Sequence, residues 1–189
     1  MTRIIAGQAG GRTLRVPRRG TRPTSDRVRE ATFSLLEARL GTFEGLAVLD
    51  LFAGSGALGL EAISRGATRA VLVDNDRQAE AACRANLAQV TAGSTATVTV
   101  LRTKVGVMVA RPWAGQPFDL VFMDPPYVVG NSELSLLLAN LDSGSLLVEG
   151  ATVVVERPSR LAAPTWPDGW TQADQRTYGD TTIYVAVAG

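Results

Sequence analysis

LAVLDLFAGSGALGLEAISR, residues 46–65, decides the fold. It opens with a run (46–52) that is apolar but for Asp50, as a parallel strand covered on both faces should be. It then crosses a glycine-rich loop, AGSGALG (53–59), and continues into a helical stretch, LEAISR (60–65). The next apolar run, RAVLVD (69–74), ends on Asp74, twenty residues beyond Gly54. A G-x-G-x-x-G loop between a strand and a helix, with an acid at the following strand tip, is the fingerprint of a nucleotide cofactor. The glycines let the main chain approach the ligand, the helix N-terminus favours an anionic group, and the acid grips ribose hydroxyls.

Working outward, the alternation continues. The pattern predicts a helix over 76–90, a strand TVTVL (97–101), a short helix near 104–110 and a strand FDLVFM (118–123). A helix over 132–141, a strand ATVVVE (151–156) and a closing hairpin of 170–178 with TTIYVAV (181–187) follow. Seven strands with helices between most of them give an α/β domain, its sheet mostly parallel with an antiparallel edge strand. Upstream, RIIAG (3–7) and RTLRV (12–16) read as a small hairpin, PRRGTRP (17–23) as a basic linker, and Thr24 or Ser25 as the cap of a helix running to about Leu40. The expected division is a basic hairpin arm over 1–22 and a catalytic domain over 23–189.

Composition narrows the chemistry. The chain has 189 residues, enough for one ordinary core. It has no histidine and one cysteine, Cys83, which removes the usual general base, the Ser-His and Cys-His pairs and the usual zinc ligand sets, so no metal is expected. The single cysteine and the absence of an apolar leader or of a run near the roughly 20 residues that span a bilayer point to the cytoplasm and to no membrane. Residues 1–29 hold eight arginines against one acid, Asp26, a net +7, whereas the rest is net −6. A basic arm on an acidic body suits a polyanionic partner. Trp113, Trp166, Trp170 and Cys83 read as packing residues.

The cofactor stays open on the glycine loop alone: a nicotinamide or flavin nucleotide and S-adenosylmethionine share the adenosine. Asp50 and Phe52, just before the loop, favour the second, because an acid there receives the ammonium of an amino acid. A hydride enzyme also needs a proton donor, and the sole lysine, Lys104, has no tyrosine four residues before it.

The strand FDLVFM ends in DPPY (124–127). In an open α/β sheet ligands bind at the carboxyl ends of strands beside the switch in strand order, which puts this tip next to the cofactor. Methyl transfer to an exocyclic amine needs in-line alignment and a counter-charge more than acid–base help. Asp124 and the Pro125 carbonyl accept the two N–H bonds of the amine, Pro126 adds no competing N–H, and Tyr127 stacks on an extruded base.

With those residues in place, the sequence resembles the Rossmann-like amino-methyltransferases, on FxGxG (52–56) and DPPY (124–127). More narrowly, on RIIAGQAGGRTLRVP, RPTSDRVREATF, LDLFAGSGALGLEAISRGA and DPPY, it resembles the RsmD-type bacterial 16S rRNA guanine-N2 methyltransferases along nearly its whole length. The resemblance implies a class I methyltransferase fold, S-adenosylmethionine as cofactor, and a guanine of 16S rRNA as substrate. It also implies a partly assembled 30S subunit with ribosomal proteins as the partner, met by a monomer. By position it places Asp50, Phe52, Ala53, Gly54, Ser55 and Gly56 at the methionine end and Asp74 on the ribose. Asp124, Pro125, Pro126 and Tyr127 hold the amine, and Thr24 and Arg27 cover the cofactor. Where many such enzymes carry Asp or Asn for the adenine, this chain has LRTKV (101–105), and Lys104 cannot accept that hydrogen bond. Arg3, Arg12, Arg15, Arg18, Arg19 and Arg22 are the expected grip on RNA phosphates. The alternatives are a DNA amino-methyltransferase, against which stands the lack of a recognition insertion, a nicotinamide-dependent oxidoreductase, and a non-catalytic RNA-binding assembly module.

Overall fold

The structure is a computed structural model that describes residues 2–17 and 25–189. The chain starts with β1 (Thr2–Arg3), β2 (Thr13–Leu14) and α1 (Asp26–Leu40), then alternates through β3 (Ala47–Leu51), α2 (Ala57–Ser64), β4 (Arg69–Asp74), α3 (Arg77–Val90), β5 (Thr97–Arg102) and α4 (Val105–Val109). It continues with β6 (Phe118–Met123), α5 (Asn131–Ser143), β7 (Leu147–Pro158), β8 (Thr171–Tyr178) and β9 (Thr181–Val187). One seven-stranded sheet has the order β5-β4-β3-β6-β7-β9-β8. The pairs from β5 to β7 are parallel, while β9 runs antiparallel to both β7 and β8. The reversed strand is therefore β9, one in from the edge, and β8 at the edge points with the parallel set.

Strand alternation sorts the core into two layers. Leu49 and Leu51 of β3 and Val121 and Met123 of β6 face α4 and α5. Val48, Leu120 and Phe122 face the other side with Phe33 and Leu36 of α1 and Leu60 and Ile63 of α2. All five residues of β3 are buried, which is why it reads as a run that is apolar but for Asp50. Phe33 joins α1 to the sheet, its ring 5.3 Å from Phe43 and 5.5 Å from Phe122.

The hairpin is shorter than expected but firmly docked. Only Thr2–Arg3 and Thr13–Leu14 pair as strands, because the next N–H groups turn to α2: those of Ile5 and Ala6 donate to the Glu61 carboxylate at 2.7 and 3.0 Å, and that of Ala9 donates to Ser64 Oγ at 2.9 Å. Gly7 has φ +80° and lies so close to the Ser64 carbonyl that a Cβ would stand 1.9 Å from its oxygen. No other residue fits that contact. Ile4, Ala9 and Leu14 join the core. β7 starts earlier than the expected 151, since Leu147 pairs with Phe118 across a register shift. Trp170 is buried with its Nε1 2.7 Å from Asp142 Oδ1, and Trp113 packs on Phe118, as the packing expectation required. Among the described residues no helix is long and apolar enough to cross a membrane.

Candidate active site

β3 has β4 on one side and β6 on the other, so the strand order reverses between β3 and β6. The carboxyl ends of these strands open into a cleft of about 530 Å³. In an open α/β sheet this is where ligands bind. Asp50, Phe52, Ala53, Gly54, Ser55 and Asp74 line it together with Asp124, Pro125, Pro126 and Tyr127. Two segments fifty residues apart in sequence thus share one cavity.

The loop geometry follows from its hydrogen bonds. Phe52 follows β3 with φ 63°, a left-handed conformation uncommon for an aromatic residue and typical of a site where the backbone is over-determined. The N–H of Ala53 donates to the Val73 carbonyl at 3.0 Å, that of Gly54 to Asp74 Oδ2 at 2.9 Å, and that of Gly59 to Asp50 Oδ2 at 2.9 Å. Gly56 has φ +77° and opens α2; it forms the turn and does not line the cleft. Asp74 Oδ1 accepts the Asp76 N–H at 2.9 Å, and each Asp74 oxygen retains a lone pair for a diol. Asp76 lines the cleft too and caps α3 through the N–H groups of Gln78 and Ala79.

These assignments bear on the ligand. Several loop N–H groups are spent on protein acceptors, and the facing side chains are acids, so a pyrophosphate would meet negative charge. Burial raises the Asp50 pKa to about 7 against the opposing Gly59 N–H, with Asp124 and Asp74 pushing the same way. Three carboxylates gathered along one cleft make a site for a cationic ligand. Apolar groups from Phe52, Ala53, Leu58 and Ala79 complete the lining. An amino acid ammonium, a sulfonium and a ribose match this donor set.

On the other wall, the Val129 N–H donates to the Pro126 carbonyl at 2.9 Å, closing the turn after the prolines. Tyr127 is half exposed, with the Arg160 guanidinium 5.4 Å over its ring centroid. Glu156, Arg157, Pro158 and the β8–β9 turn at Tyr178–Thr181 complete that wall.

A family model described as conserved hypothetical protein 95 matches residues 2–187. Ribosomal RNA small subunit methyltransferase D of Escherichia coli K12 is 38% identical over 178 residues, 94% of this chain and 85% of that protein. The chain belongs to this family. The solved structure of yhhF from Escherichia coli superposes on it with a TM-score of 0.83 at 36% identity, covering 99% of this chain and 97% of the other. The family fold is that of the class I methyltransferases. Magnesium protoporphyrin IX methyltransferase from Synechocystis, solved with bound SAM, shares the fold at TM-score 0.65 and 17% identity, over 86% and 79% of the two chains.

Within this family member the expected contacts distribute unevenly. Arg27 is exposed and off the cleft, whereas Ser25, Val28 and Arg29 of the same segment line it. Thr24, Arg18, Arg19 and Arg22 lie outside the described residues. Arg3, Arg12 and Arg15 are exposed on the hairpin, with Arg3 Nε 3.6 Å from Asp26 Oδ2. Lys104 caps α4 and does not line the cleft. Cys83 is buried with Sγ 3.3 Å from the Gly54 carbonyl, and burial drives its pKa up, so it is no thiolate nucleophile.

Sequence reasoning missed three polar residues that shape the site. Glu61, buried in α2, holds the hairpin and lies 3.9 Å from Arg29 Nε. Asn86 binds both main-chain groups of Arg15 and the Ser55 carbonyl, coupling the hairpin to the glycine loop. Arg157 is buried on β7. A polar residue on an otherwise apolar helix face was the available signal for the first two.

Proposed function

We propose that the protein transfers a methyl group from S-adenosylmethionine to the exocyclic N2 amine of a guanine in 16S rRNA. One observation carries this reading: the acidic glycine-loop wall and the Asp124–Tyr127 turn line a single cleft at the reversal of strand order. When bound, the cofactor supplies a methyl group on a sulfonium, a leaving group that needs no proton. Asp50 receives the ammonium, Asp74 the ribose hydroxyls, and Phe52 and Ala53 flank them. Asp124 and the Pro125 carbonyl accept the N–H bonds of the amine and offset the charge that grows on its nitrogen. Tyr127 stacks on the base, with Arg160 over one face of the ring. The naming of relatives as small-subunit rRNA methyltransferases supports RNA as the substrate class.

The basic segment from Arg3 to Arg22 would hold RNA phosphates of a partly assembled 30S particle in the cytoplasm, with one copy of the chain acting alone. Labelled S-adenosylmethionine offered with under-methylated small subunits, naked 16S rRNA and duplex DNA, followed by digestion and mass spectrometry, tests this. The expected product is N2-methylguanosine from the ribosomal substrate. Asp124→Ala should lose about 10²–10³-fold in kcat with cofactor affinity retained. Full transfer by that variant would overturn the assignment.

A further inference from the structure

The turn after DPPY is held from behind. Arg157 donates from Nη1 to the Val129 carbonyl at 2.7 Å and from Nη2 to Asn131 Oδ1 at 2.9 Å. Asn131 in turn donates from Nδ2 to the Ala163 carbonyl at 3.1 Å. With the Val129 N–H on the Pro126 carbonyl, the segment 126–131 is tied at both ends. Val129 is buried in the core, yet Val128, between it and Tyr127, is 88% exposed, the most exposed large apolar side chain among the described residues. A lone exposed valine is ordinary on a protein surface. Here, however, a fixed backbone points it outward next to the ring that handles the base, and the exposed guanidinium of Arg160 stands at the same rim.

Reaching a stacked guanine requires extruding it, and the neighbours it leaves lose their stacking partner. Proteins that open base stacks insert apolar side chains as wedges between base steps. The cleft interior is acidic, so RNA phosphates stay at the rim, where Arg160 offers a cation, and only the base enters. We propose that segment 126–131 is a rigid lip for RNA. In it Val128 takes the space vacated by the extruded guanine, and Arg157 is the positioning residue that holds the lip. This inference rests on the guanine reading above.

The test compares Val128→Thr, nearly isosteric but polar, with Val128→Ile on under-methylated small subunits. Position 128 is exposed, so a merely structural role predicts no change with either substitution. The wedge predicts that Val128→Thr loses about tenfold in kcat/KM for the subunit and Val128→Ile recovers most of it, with S-adenosylmethionine affinity and Tm unchanged. Arg157→Met should lower kcat/KM for the subunit more than cofactor affinity. The double variant Val128→Thr/Arg157→Met should cost little beyond Arg157→Met alone, since a displaced lip presents no wedge. Wild-type kinetics for Val128→Thr, alongside N2-methylguanosine from the wild-type protein, would overturn the lip and leave the function standing. No N2-methylguanosine from the wild-type protein would overturn both.

Discussion

Arg29 and Arg157 are the two largest fully buried side chains among the described residues, and both line the cleft. Arg29, on α1, donates to the Arg3 carbonyl and to Asp26 Oδ1, and it lies against Glu61. Burial lowers its pKa, while Glu61 and then Asp26 pull it back. Arg157, on β7, donates to neutral oxygens and has no ion pair among the described residues. Burial lowers its pKa too, opposed by Tyr184. Each keeps an Nε without a hydrogen-bond partner. The difference separates two uses of one residue type. A buried arginine flanked by acids is a charge-compensated staple between hairpin, α1 and α2. One held by carbonyl groups has no carboxylate partner among the described residues and orients a loop.

That contrast can be broken most sharply at Glu61. Removing one member of a buried ion pair strands the other, so Glu61→Ala should destabilise by about 3–5 kcal/mol. Urea denaturation measures this, and a loss below about 1 kcal/mol would mean that solvent or another group satisfies Arg29. Arg157→Met leaves two neutral acceptors unpaired instead of a charge, and should cost about 1–3 kcal/mol by the same measurement. An equal cost at both positions would erase the distinction.

Asp50 sharpens the comparison from the acidic wall. Its pKa is raised to about 7 from 3.8, so between these values the folded, ligand-free protein holds a proton that the unfolded chain releases. The stability this group contributes is present below about pH 4 and is lost as pH rises through about 7. A bound ammonium requires the anion, so S-adenosylmethionine should bind roughly tenfold more tightly at pH 7.5 than at pH 6. Isothermal titration would read the change, and Asp50→Asn should flatten it. A flat wild-type profile would remove Asp50 from ligand binding.

The smallest effect belongs to the loop backbone. Gly56→Ala places a side chain at φ +77°, with its Cβ 3.0 Å from Leu72 Cδ1, and should lower stability by about 1–2 kcal/mol in a thermal melt. A neutral result would show that the turn relaxes.

Much of the acidic wall was legible because its signals are local. A strand, three glycines and a spaced acid lie within residues 46–74, and the DPPY tip is four consecutive residues. The choice between Arg27 and Arg29 was legible in principle: Arg29, Phe33 and Leu36 follow the helical spacing of the buried stripe, and Arg27 falls off it. Glu61 was hidden because its donors, Ile5 and Ala6, lie 55 to 56 residues away. Arg157 was hidden because an arginine near a strand end reads as a solvated residue.

The alternation of elements and the glycine turn with its acids are written in the local order of the chain. Period and backbone conformation are properties of neighbouring residues. Which polar groups meet in the interior, by contrast, is set by three-dimensional packing. Buried charges and hydrogen-bond donors must find partners wherever packing brings them, and packing joins residues without regard to their separation along the chain.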